Sequence, residues 1–372
     1  MTQRTVALIR GESLNTFETA AWAHLTGVAA FAVGRRDKGP VPGLPIPGVY
    51  LRSLAAVPRP RAWSRIVARV APAYDLDFLV GLRRALERAD ILHAAETFIP
   101  WSEQAGRVAV RSGKPLVLTC WETIPFLHEQ DRRLRARKDF LREHATLFLA
   151  TTPRARAALV EEGVSPERVA VVPPSIDCSR YAARPSRTGP SMVLVPARVI
   201  DEKGSTEAVR AWSRVPADIR RDTRLVFVGS GSASDRVVAA ARALGVADCV
   251  DLRGAVPHAE MPALFAQADV VLLPSLPTPY WEEQFGMVLA EAMASSTAIV
   301  ATASGAIPEV VGDTALLVEP YNVDALAEAL STLLADASQR LDLGLRGEQR
   351  VREMYDAPVV GKLLSRLYQE LA

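Results

Sequence analysis

Residues 270–294 read VVLLPSLPTPYWEEQFGMVLAEAMA, and this stretch decides the fold. Its first four residues form a short apolar run that is typical of a buried strand. A proline-containing loop follows, and residues 287–294 then form a run, apolar nearly all round, that is typical of a buried helix. A buried strand followed by a buried helix indicates a βαβ unit, in which the strands run parallel.

The same alternation of strand and helix patterns continues along the rest of the chain. Strands are predicted in the first half at 6–9, 28–33, 91–93, 116–119, 147–150 and 169–172, and in the second half at 192–195, 225–228, 250–252, 270–273, 299–301 and 315–318. Helical patterns such as 78–88 and 154–162 separate the strands, which favours right-handed crossovers within parallel sheets.

A turn-rich polar stretch at 184–190 divides the two series of strands and reads as a linker. The sequence therefore predicts an α/β protein with two doubly wound, Rossmann-like domains that face a central cleft. We expect them at residues 1–186 and 187–357. A last helix, at about 358–372, follows the completed second sheet and is expected to pack back on the first domain.

Composition excludes several classes of protein. The chain has 372 residues, of which 49% are hydrophobic and 23% are charged, as in globular proteins rather than collagen-like, disordered or coiled-coil ones. It lacks an apolar run long enough for a transmembrane helix, and its N-terminus lacks the layout of a signal peptide. Three widely spaced cysteines suit a reducing compartment and give no zinc-ligand spacing. These features predict a cytoplasmic protein and give no support for a structural zinc site.

Charge is distributed unevenly between the halves. Residues 1–186 contain 27 Lys and Arg and 18 Asp and Glu, whereas residues 187–372 contain 17 and 24. The basic half suggests a phosphorylated acceptor or an anionic membrane surface as partner. Helices that simply carry solvated arginines explain the excess positive charge equally well. The basic stretches 59–69 and 131–142 are candidates for peripheral contact with the inner face of the membrane, although a solvated helix face is the more frequent explanation of such stretches.

Two glutamates carry the strongest chemical signal. Glu291 is the only charge in the apolar helix, and a buried carboxylate is costly unless it accepts good hydrogen bonds. A ribose diol would donate two, and a structural partner such as a buried arginine is the alternative. Glu283 lies eight residues earlier, and Gly286 between them allows a ligand to approach the backbone of a helix N-terminus, which favours phosphate. The segment therefore suits a nucleotide sugar.

Two cations follow the strand that ends at 195. Arg198 and Lys203 lie in a βα loop at the carboxyl end of that strand, where the fold places its ligands. Together they would neutralise a diphosphate, although an Arg and a Lys five residues apart are also an ordinary surface pair. Gly229 begins a Gly-Ser-Gly turn after another strand, and Ser234 replaces the third glycine of the dinucleotide fingerprint. This disfavours a Rossmann dehydrogenase and favours a tight turn near a nucleotide.

The combined pattern resembles the retaining GT-B glycosyltransferases of the GT4 family. Glu283 and Glu291 match the E-x7-E signature of that family, and Arg198 and Lys203 match its paired cations. Further matches, in family order, are PPSID at 173–177, VGSG at 228–231, the segment from ADV at 268–270 to PS at 274–275, and SGAIPE at 304–309.

The resemblance implies transfer of a sugar from a nucleotide sugar to an acceptor hydroxyl, with retention at the anomeric carbon and without metal or other cofactor. In this family Glu291 would hold the ribose, Glu283 the sugar hydroxyls, and Arg198 and Lys203 the leaving diphosphate. The remaining donor-binding candidates are Gly229, Phe285, Gly286, Met287 and Val288. The acceptor would be a sugar, a lipid-linked compound or a small molecule, and nucleic acid is not expected.

The first half departs from the family pattern. Only Gly11 remains of the glycine-rich loop after the first strand, and Trp121 replaces a histidine that is common in the family. His93 matches a family histidine at the cleft, with core packing as the alternative, and Trp121 would stack on a sugar or serve in packing. Glu12 and Glu122 are weaker acceptor-side candidates.

Other functions remain compatible with the sequence. A nucleotide-sugar epimerase or a phosphorylase would share the fold, although an epimerase needs paired acid–base groups that the sequence does not show. A non-catalytic module that binds a nucleotide or a glycan is a third possibility. It is suggested by the incomplete glycine loop and opposed by the intact cations and glutamates.

Overall fold

The computed structural model describes residues 3–53, 78–127, 129–181 and 191–371. It divides the chain into two compact units: Met1–Ser175 together with Ala357–Ala372 form unit 1, and Ile176–Asp356 form unit 2. The predicted linker at 184–190 and the basic stretch at 59–69 lie outside the described residues.

Unit 1 is built on a seven-stranded sheet in the order β3-β2-β1-β4-β5-β6-β7. Every adjacent pair is parallel. The strands are β1 (Arg4–Gly11), β2 (Val28–Arg35), β3 (Gly48–Leu51), β4 (Ile91–Ala95), β5 (Leu116–Cys120), β6 (Leu147–Ala150) and β7 (Val169–Val171). Helices cover the sheet, so its central strands are apolar on both faces, as in other parallel sheets.

Unit 2 repeats this design on a six-stranded parallel sheet in the order β10-β9-β8-β11-β12-β13. The strands are β8 (Ser191–Val195), β9 (Thr223–Phe227), β10 (Val250–Leu252), β11 (Val270–Leu273), β12 (Ala298–Thr302) and β13 (Leu316–Val318). The α/β class with two Rossmann-like sheets is therefore confirmed. The sequence missed only the edge strand β3 among the described strands, because its four residues follow a proline-rich stretch and are too few for a clear pattern.

Most of the helices lie between successive strands, and the last three follow β13. In unit 1 they are α1 (Leu82–Ala85), α2 (Pro100–Ser112), α3 (Arg132–His144) and α4 (Pro153–Glu161). In unit 2 they are α5 (Ser205–Arg214), α6 (Ala217–Arg221), α7 (Ser234–Ala243), α8 (Met261–Gln267), α9 (Met287–Ala294), α10 (Ile307–Val311), α11 (Val323–Ala335) and α12 (Ala337–Met354). The last helix, α13 (Ala357–Glu370), belongs to unit 1. Among the described residues, no helix is both long and apolar enough to cross a bilayer.

Local sequence explains several helix ends. The hydroxyl of Thr152 accepts a hydrogen bond from the amide of Ala155 and thereby caps α4, and Asn322 caps α11 in the same way. Gly113 ends α2 in the left-handed conformation, which glycine adopts without strain.

The C-terminal helix α13 is an integral part of unit 1. Its residues Val360, Leu364 and Tyr368 are at most 5% exposed and join a core cluster with Trp22. The chain leaves unit 2 just before this helix. There the amide of Ile176 donates to the carbonyl of Tyr355, so that residues 176–181, which the sequence assigned to the first domain, start unit 2.

Candidate active site

Strand β8 is the point at which the sheet of unit 2 changes direction. It pairs with β9 on one side and with β11 on the other, so the loops after β8 and β11 lead away to opposite sides. Doubly wound folds bind their ligands at such switch points, outside the carboxyl ends of the strands. The two loops are in direct contact, because the amide of Leu276 donates to the carbonyl of Glu202 at 2.8 Å.

Two glycines, one after β8 and one after β9, allow the loops around the switch point to pack closely. Gly204 has φ +64°, and a Cβ atom there would lie 1.9 Å from the carbonyl oxygen of Pro274, in the loop after β11. Gly229 has φ +147°, and its Cβ would lie 2.0 Å from the carbonyl oxygen of Ala197. Neither distance is possible for a real side chain. The predicted turn at Gly229 therefore fixes the loop that carries Arg198.

Lys203 and Glu283 meet across the switch point. The ammonium of Lys203 lies 2.6 Å from Glu283 Oε2, and the hydroxyl of Ser275 donates to the same oxygen at 2.8 Å. The side chains are only 15% and 9% exposed, so each charge offsets the desolvation of the other. Lys203 Nζ also lies 5.0 Å from the ring centroid of Trp281, a cation–π distance. Sequence reasoning did not identify Ser275 or Trp281 as partners of this pair.

Arg198 is exposed in the loop after β8. Its guanidinium forms no hydrogen bond or ion pair with any residue that the structure describes. Asp201, three residues later, is instead paired with Arg236, a bond that involves exposed side chains. The site therefore contains one cation in a buried ion pair and one that is free to meet an anion.

Glu291 lies on α9, and its side chain is 7% exposed. Its Oε1 accepts hydrogen bonds from the hydroxyl of Tyr181 at 2.9 Å and from Nε2 of His258 at 2.7 Å. Burial, reinforced by the neighbouring Glu291, raises the pKa of Tyr181, so the phenol remains a donor. Oε2 of Glu291 forms no hydrogen bond with the described residues, which leaves that oxygen available to a ligand.

The structural partners of Glu291 differ from the alternative considered from sequence. That alternative was a buried arginine, whereas the structure places a tyrosine and a histidine there. Tyr181 and His258 lie far from Glu291 along the chain, and no local pattern connects them.

The N-terminus of α9 directly follows the loop after β11. Gly286 precedes the helix with φ +77°, and the first amides of a helix lack intrahelical acceptors. Phe285 is 2% exposed and packs edge-on against Tyr355, with 5.3 Å between ring centroids, so its side chain belongs to the core. Met287 and Val288 are half-buried at the first turn. What this segment offers a ligand is therefore its backbone.

Unit 1 has a separate pocket at the carboxyl ends of its strands. We call it the unit 1 pocket. It lies next to α13 and is lined by Arg10, Glu18, Ala21, Trp22, His93, Thr119, Trp121, Leu149, Thr151, residues 172–175, Val360 and Leu364. Two predicted acceptor-side residues, His93 and Trp121, are thus brought together here.

His93 is buried and uses both ring nitrogens. Nδ1 lies 2.6 Å from the hydroxyl of Tyr368, and Nε2 lies 2.7 Å from Oγ1 of Thr119. Burial, with Arg10 as a further cause, holds the pKa of His93 well below its usual value, so the imidazole is neutral. The ring therefore fixes the pocket wall rather than offering a free base.

Trp121 is held in the pocket through its backbone. Its amide donates to Oε1 of Glu96 at 2.7 Å. Glu96 is 8% exposed and has φ +62°, a left-handed conformation that is strained for a side chain of this size. Burial raises the pKa of Glu96 to about 8. Sequence reasoning missed this residue, since a glutamate that follows a strand usually lies in solvent.

The other acceptor-side candidates are not among the lining residues of the pocket. Glu12 is exposed and pairs with Arg35 at 2.9 Å. Glu122 accepts hydrogen bonds from the amides of Thr123 and Ile124 in its own loop. Gly11 is buried, and a Cβ atom there would lie 2.8 Å from the Trp101 ring. Across the described residues there is no group of three or more His, Cys, Asp or Glu side chains placed to hold a metal ion.

Two known families match the sequence. Residues 182–350 match the family described as "Glycosyl transferases group 1", and residues 13–175 match the "Glycosyl transferase 4-like domain". The first match includes the switch-point loops of unit 2, and the second includes most of the unit 1 pocket.

Curated relatives are similar over part or most of their length. An "MMP alpha-(1->4)-mannosyltransferase" of Mycolicibacterium hassiacum is 28% identical over 85% of this chain and 76% of its own length. A "D-inositol 3-phosphate glycosyltransferase" of Corynebacterium aurimucosum is 31% identical over 54% of this chain and 52% of its own. The chain thus spans about half the length of the second relative.

Solved structures share the fold. Anabaena HepE in complex with UDP has a TM-score of 0.79 and 17% identity, covering 99% of this chain and all of its own. Sucrose-phosphate synthase from Thermosynechococcus elongatus has a TM-score of 0.72 and 21% identity, covering 99% of both chains. At these identities the likeness establishes the GT-B architecture.

Proposed function

This chain belongs to the GT4 family of GT-B glycosyltransferases, and from that premise we propose that it moves a sugar from a nucleoside diphosphate sugar to an acceptor hydroxyl, with retention at the anomeric carbon and without a metal ion. One observation carries the proposal. Lys203 and Glu283 form a 2.6 Å ion pair at the switch point of unit 2. It joins the loop that also carries the exposed Arg198 to the loop that leads into α9.

The donor diphosphate is assigned to the cations and the helix end. Lys203 already faces the loop after β11, and Arg198 has no competing partner in the described part of the chain. A guanidinium offers a planar fork to phosphate oxygens, while an ammonium acts as a point charge. The amides that open α9 add donors along the helix dipole.

The nucleoside ribose is assigned to Glu291. Tyr181 and His258 hold its Oε1, so the carboxylate has a fixed orientation, and Oε2 remains for a sugar diol. Glu283 is assigned to the transferred sugar. When the diphosphate draws Lys203 away from Glu283, the released carboxylate would accept hydrogen bonds from the hydroxyls of that sugar. Both glutamates would thus act as acceptors on either side of the diphosphate.

Rate enhancement is assigned to Lys203 and Arg198. Negative charge on the diphosphate grows as the bond to the anomeric carbon breaks, and fixed cations stabilise this charge more in the transition state than in the ground state. Two cations in these positions can supply the positive charge that a divalent metal ion would otherwise place on the diphosphate.

The acceptor is assigned to the unit 1 pocket. The pocket combines two tryptophans, Trp22 and Trp121, with the polar side chains of Arg10 and Glu18. Aromatic faces with polar groups beside them suit a carbohydrate. The names of the mannosyltransferase and inositol phosphate relatives support an acceptor of this kind.

The experiment is incubation of the full chain with UDP-, GDP-, ADP- and dTDP-sugars and a panel of carbohydrate acceptors, followed by NMR analysis of the product. The proposal predicts a glycoside with the anomeric configuration of the donor, formed equally well in excess EDTA. An inverted product, or activity lost with EDTA and restored by metal, would contradict it.

A further inference from the structure

Two buried polar atoms of the unit 1 pocket lack a hydrogen-bond partner among the described residues. They are Nη1 of Arg10 and Oγ1 of Thr151, and both are inaccessible to solvent. The residues are 8% and 2% exposed, and both line the pocket. Buried polar groups are almost always hydrogen-bonded, so two such atoms in one pocket mark a position where a polar ligand could bind.

The topology brings the two residues close to each other. Strands β1, β4, β5 and β6 are neighbours in that order. Arg10 lies on β1, yet its Nη2 reaches Oγ1 of Thr119 on β5, at a long 3.4 Å. Thr151 follows β6, and its amide donates to Cys120 at the end of β5. The guanidinium therefore extends across β4 towards the strand end where Thr151 lies.

The acidic groups around Arg10 do not fully offset the cost of burying its charge. Burial lowers the pKa of Arg10, with Glu18 the largest opposing influence. Glu18 is half-buried and forms no ion pair with Arg10. His93 is neutral, and Glu96, with a pKa of about 8, is mainly protonated at pH 7. A neutral hydroxyl would satisfy the hydrogen bond of Arg10, whereas an anion would also neutralise its charge.

We propose that the unit 1 pocket binds a sugar or polyol that carries an anionic substituent, either a phosphate or a carboxylate. Arg10 and Thr151 hold the anion, and Glu18 accepts a hydrogen bond from a hydroxyl of the same ligand. Glu18 is more exposed than Arg10 and suits the mouth of the pocket, where water screens its charge from the anion. The inference rests on the proposed function, because it defines the chemical class of the acceptor.

The test uses matched sets of probes. Isothermal calorimetry on the full chain compares glucose, mannose and myo-inositol with their monophosphates, and glucose with glucuronate. At least one anionic form is expected to bind at least ten times more tightly than its neutral parent, because a hydrogen bond to a buried charge contributes about that much affinity. The phosphate and carboxylate arms identify which anion is bound.

Variants assign the effect to the site. Arg10→Gln is expected to abolish the anionic preference, Arg10→Lys to keep part of it, and Thr151→Val to reduce it by several fold. Arg84→Gln, which changes an exposed arginine of the same unit, is the matched control. Thr151→Val removes one oxygen only and keeps the test valid if Arg10→Gln does not fold.

Nucleoside diphosphate binding is measured in parallel, because it depends on unit 2. The inference is overturned if anionic and neutral probes bind the native chain equally, including the case in which none binds, or if the preference survives in both Arg10→Gln and Thr151→Val. If nucleotides bind and this preference is absent, only the inference fails. If no nucleoside diphosphate binds, the proposed function itself fails.

Discussion

At the scale of single residues, Lys203 is the group on which the account depends most. Lys203→Ala should lower kcat by about 10²–10³-fold, because it removes a fixed cation from the leaving-group charge. Steady-state kinetics measures this, with thermal unfolding to show that the variant folds. Lys362→Ala, which changes an exposed lysine of α13, is the control and should leave kcat unchanged. A change of less than threefold in Lys203→Ala would remove this residue from the mechanism.

Glu96 provides a prediction about pH. Its pKa is about 8 in the folded chain, against an ordinary value of 4.5 in the unfolded chain. Between these values the unfolded chain binds fewer protons, so the stabilising contribution of protonated Glu96 is complete below about pH 4.5 and is lost as pH rises to about 8. Glutamine keeps the oxygen that accepts from Trp121 and cannot ionise.

The Tm of Glu96→Gln minus the Tm of the native chain should therefore increase by about 5 °C from pH 5 to pH 9. Differential scanning calorimetry at both pH values measures the difference. Glu87→Gln, on an exposed glutamate of unit 1, should show no such trend. Equal shifts at pH 5 and pH 9 would mean that Glu96 is already ionised at pH 5.

Candidate site residues could be named from the sequence where the expected chemistry follows local spacing. Glu283, Glu291, Arg198 and Lys203 lie in short loops and one helix, so the sequence alone brought them into consideration. Their partners come from elsewhere in the chain: Tyr181 reaches Glu291 across 110 residues. Only folding creates such contacts, which is why they were not predicted.

At the scale of elements, the fit between the loops after β8 and β11 determines the geometry of the site. Gly204→Ala places a Cβ atom 1.9 Å from the carbonyl of Pro274. The loops must then separate, so we expect at least tenfold weaker nucleoside diphosphate binding and a loss of stability of about 2 kcal/mol or more.

Gly245→Ala is a matched control in the same unit. Gly245 has φ +68° and no atom within 4 Å of the added Cβ, so this variant carries only the cost of a left-handed alanine, about 1 kcal/mol. Calorimetric titration and urea unfolding compare the two variants. If they behave alike, the contact between the loops does not determine the site.

Element types were easier to predict than element partners. The helix expected at 287–294 is observed as Met287–Ala294, since its apolar run is unambiguous. The basic stretch at 131–142 largely forms α3, but Lys138 and Arg142 are buried against Glu129 and Glu162 at 2.7–3.1 Å. A count of charges along the sequence cannot distinguish such internal ion pairs from an exposed basic face.

At the scale of the whole molecule, the chain leaves unit 1 and returns to it. Leu364 of α13 is 5% exposed in the unit 1 core, whereas Val359 on the same helix is 39% exposed. Leu364→Ala should destabilise unit 1 by about 2–4 kcal/mol, and Val359→Ala should have little effect. Urea unfolding measures this, and nucleoside diphosphate affinity should be unchanged in both variants. Equal effects of the two substitutions would contradict the burial of this helix face.

The most direct test of the account is a crystal structure of the full chain soaked with the nucleoside diphosphate that gives the largest thermal shift. We expect phosphate density in contact with Lys203, Arg198 and the amides that open α9, and a ribose diol within hydrogen-bond distance of Glu291. A diphosphate bound elsewhere, with the Lys203–Glu283 pair undisturbed and Oε2 of Glu291 facing solvent, would contradict it.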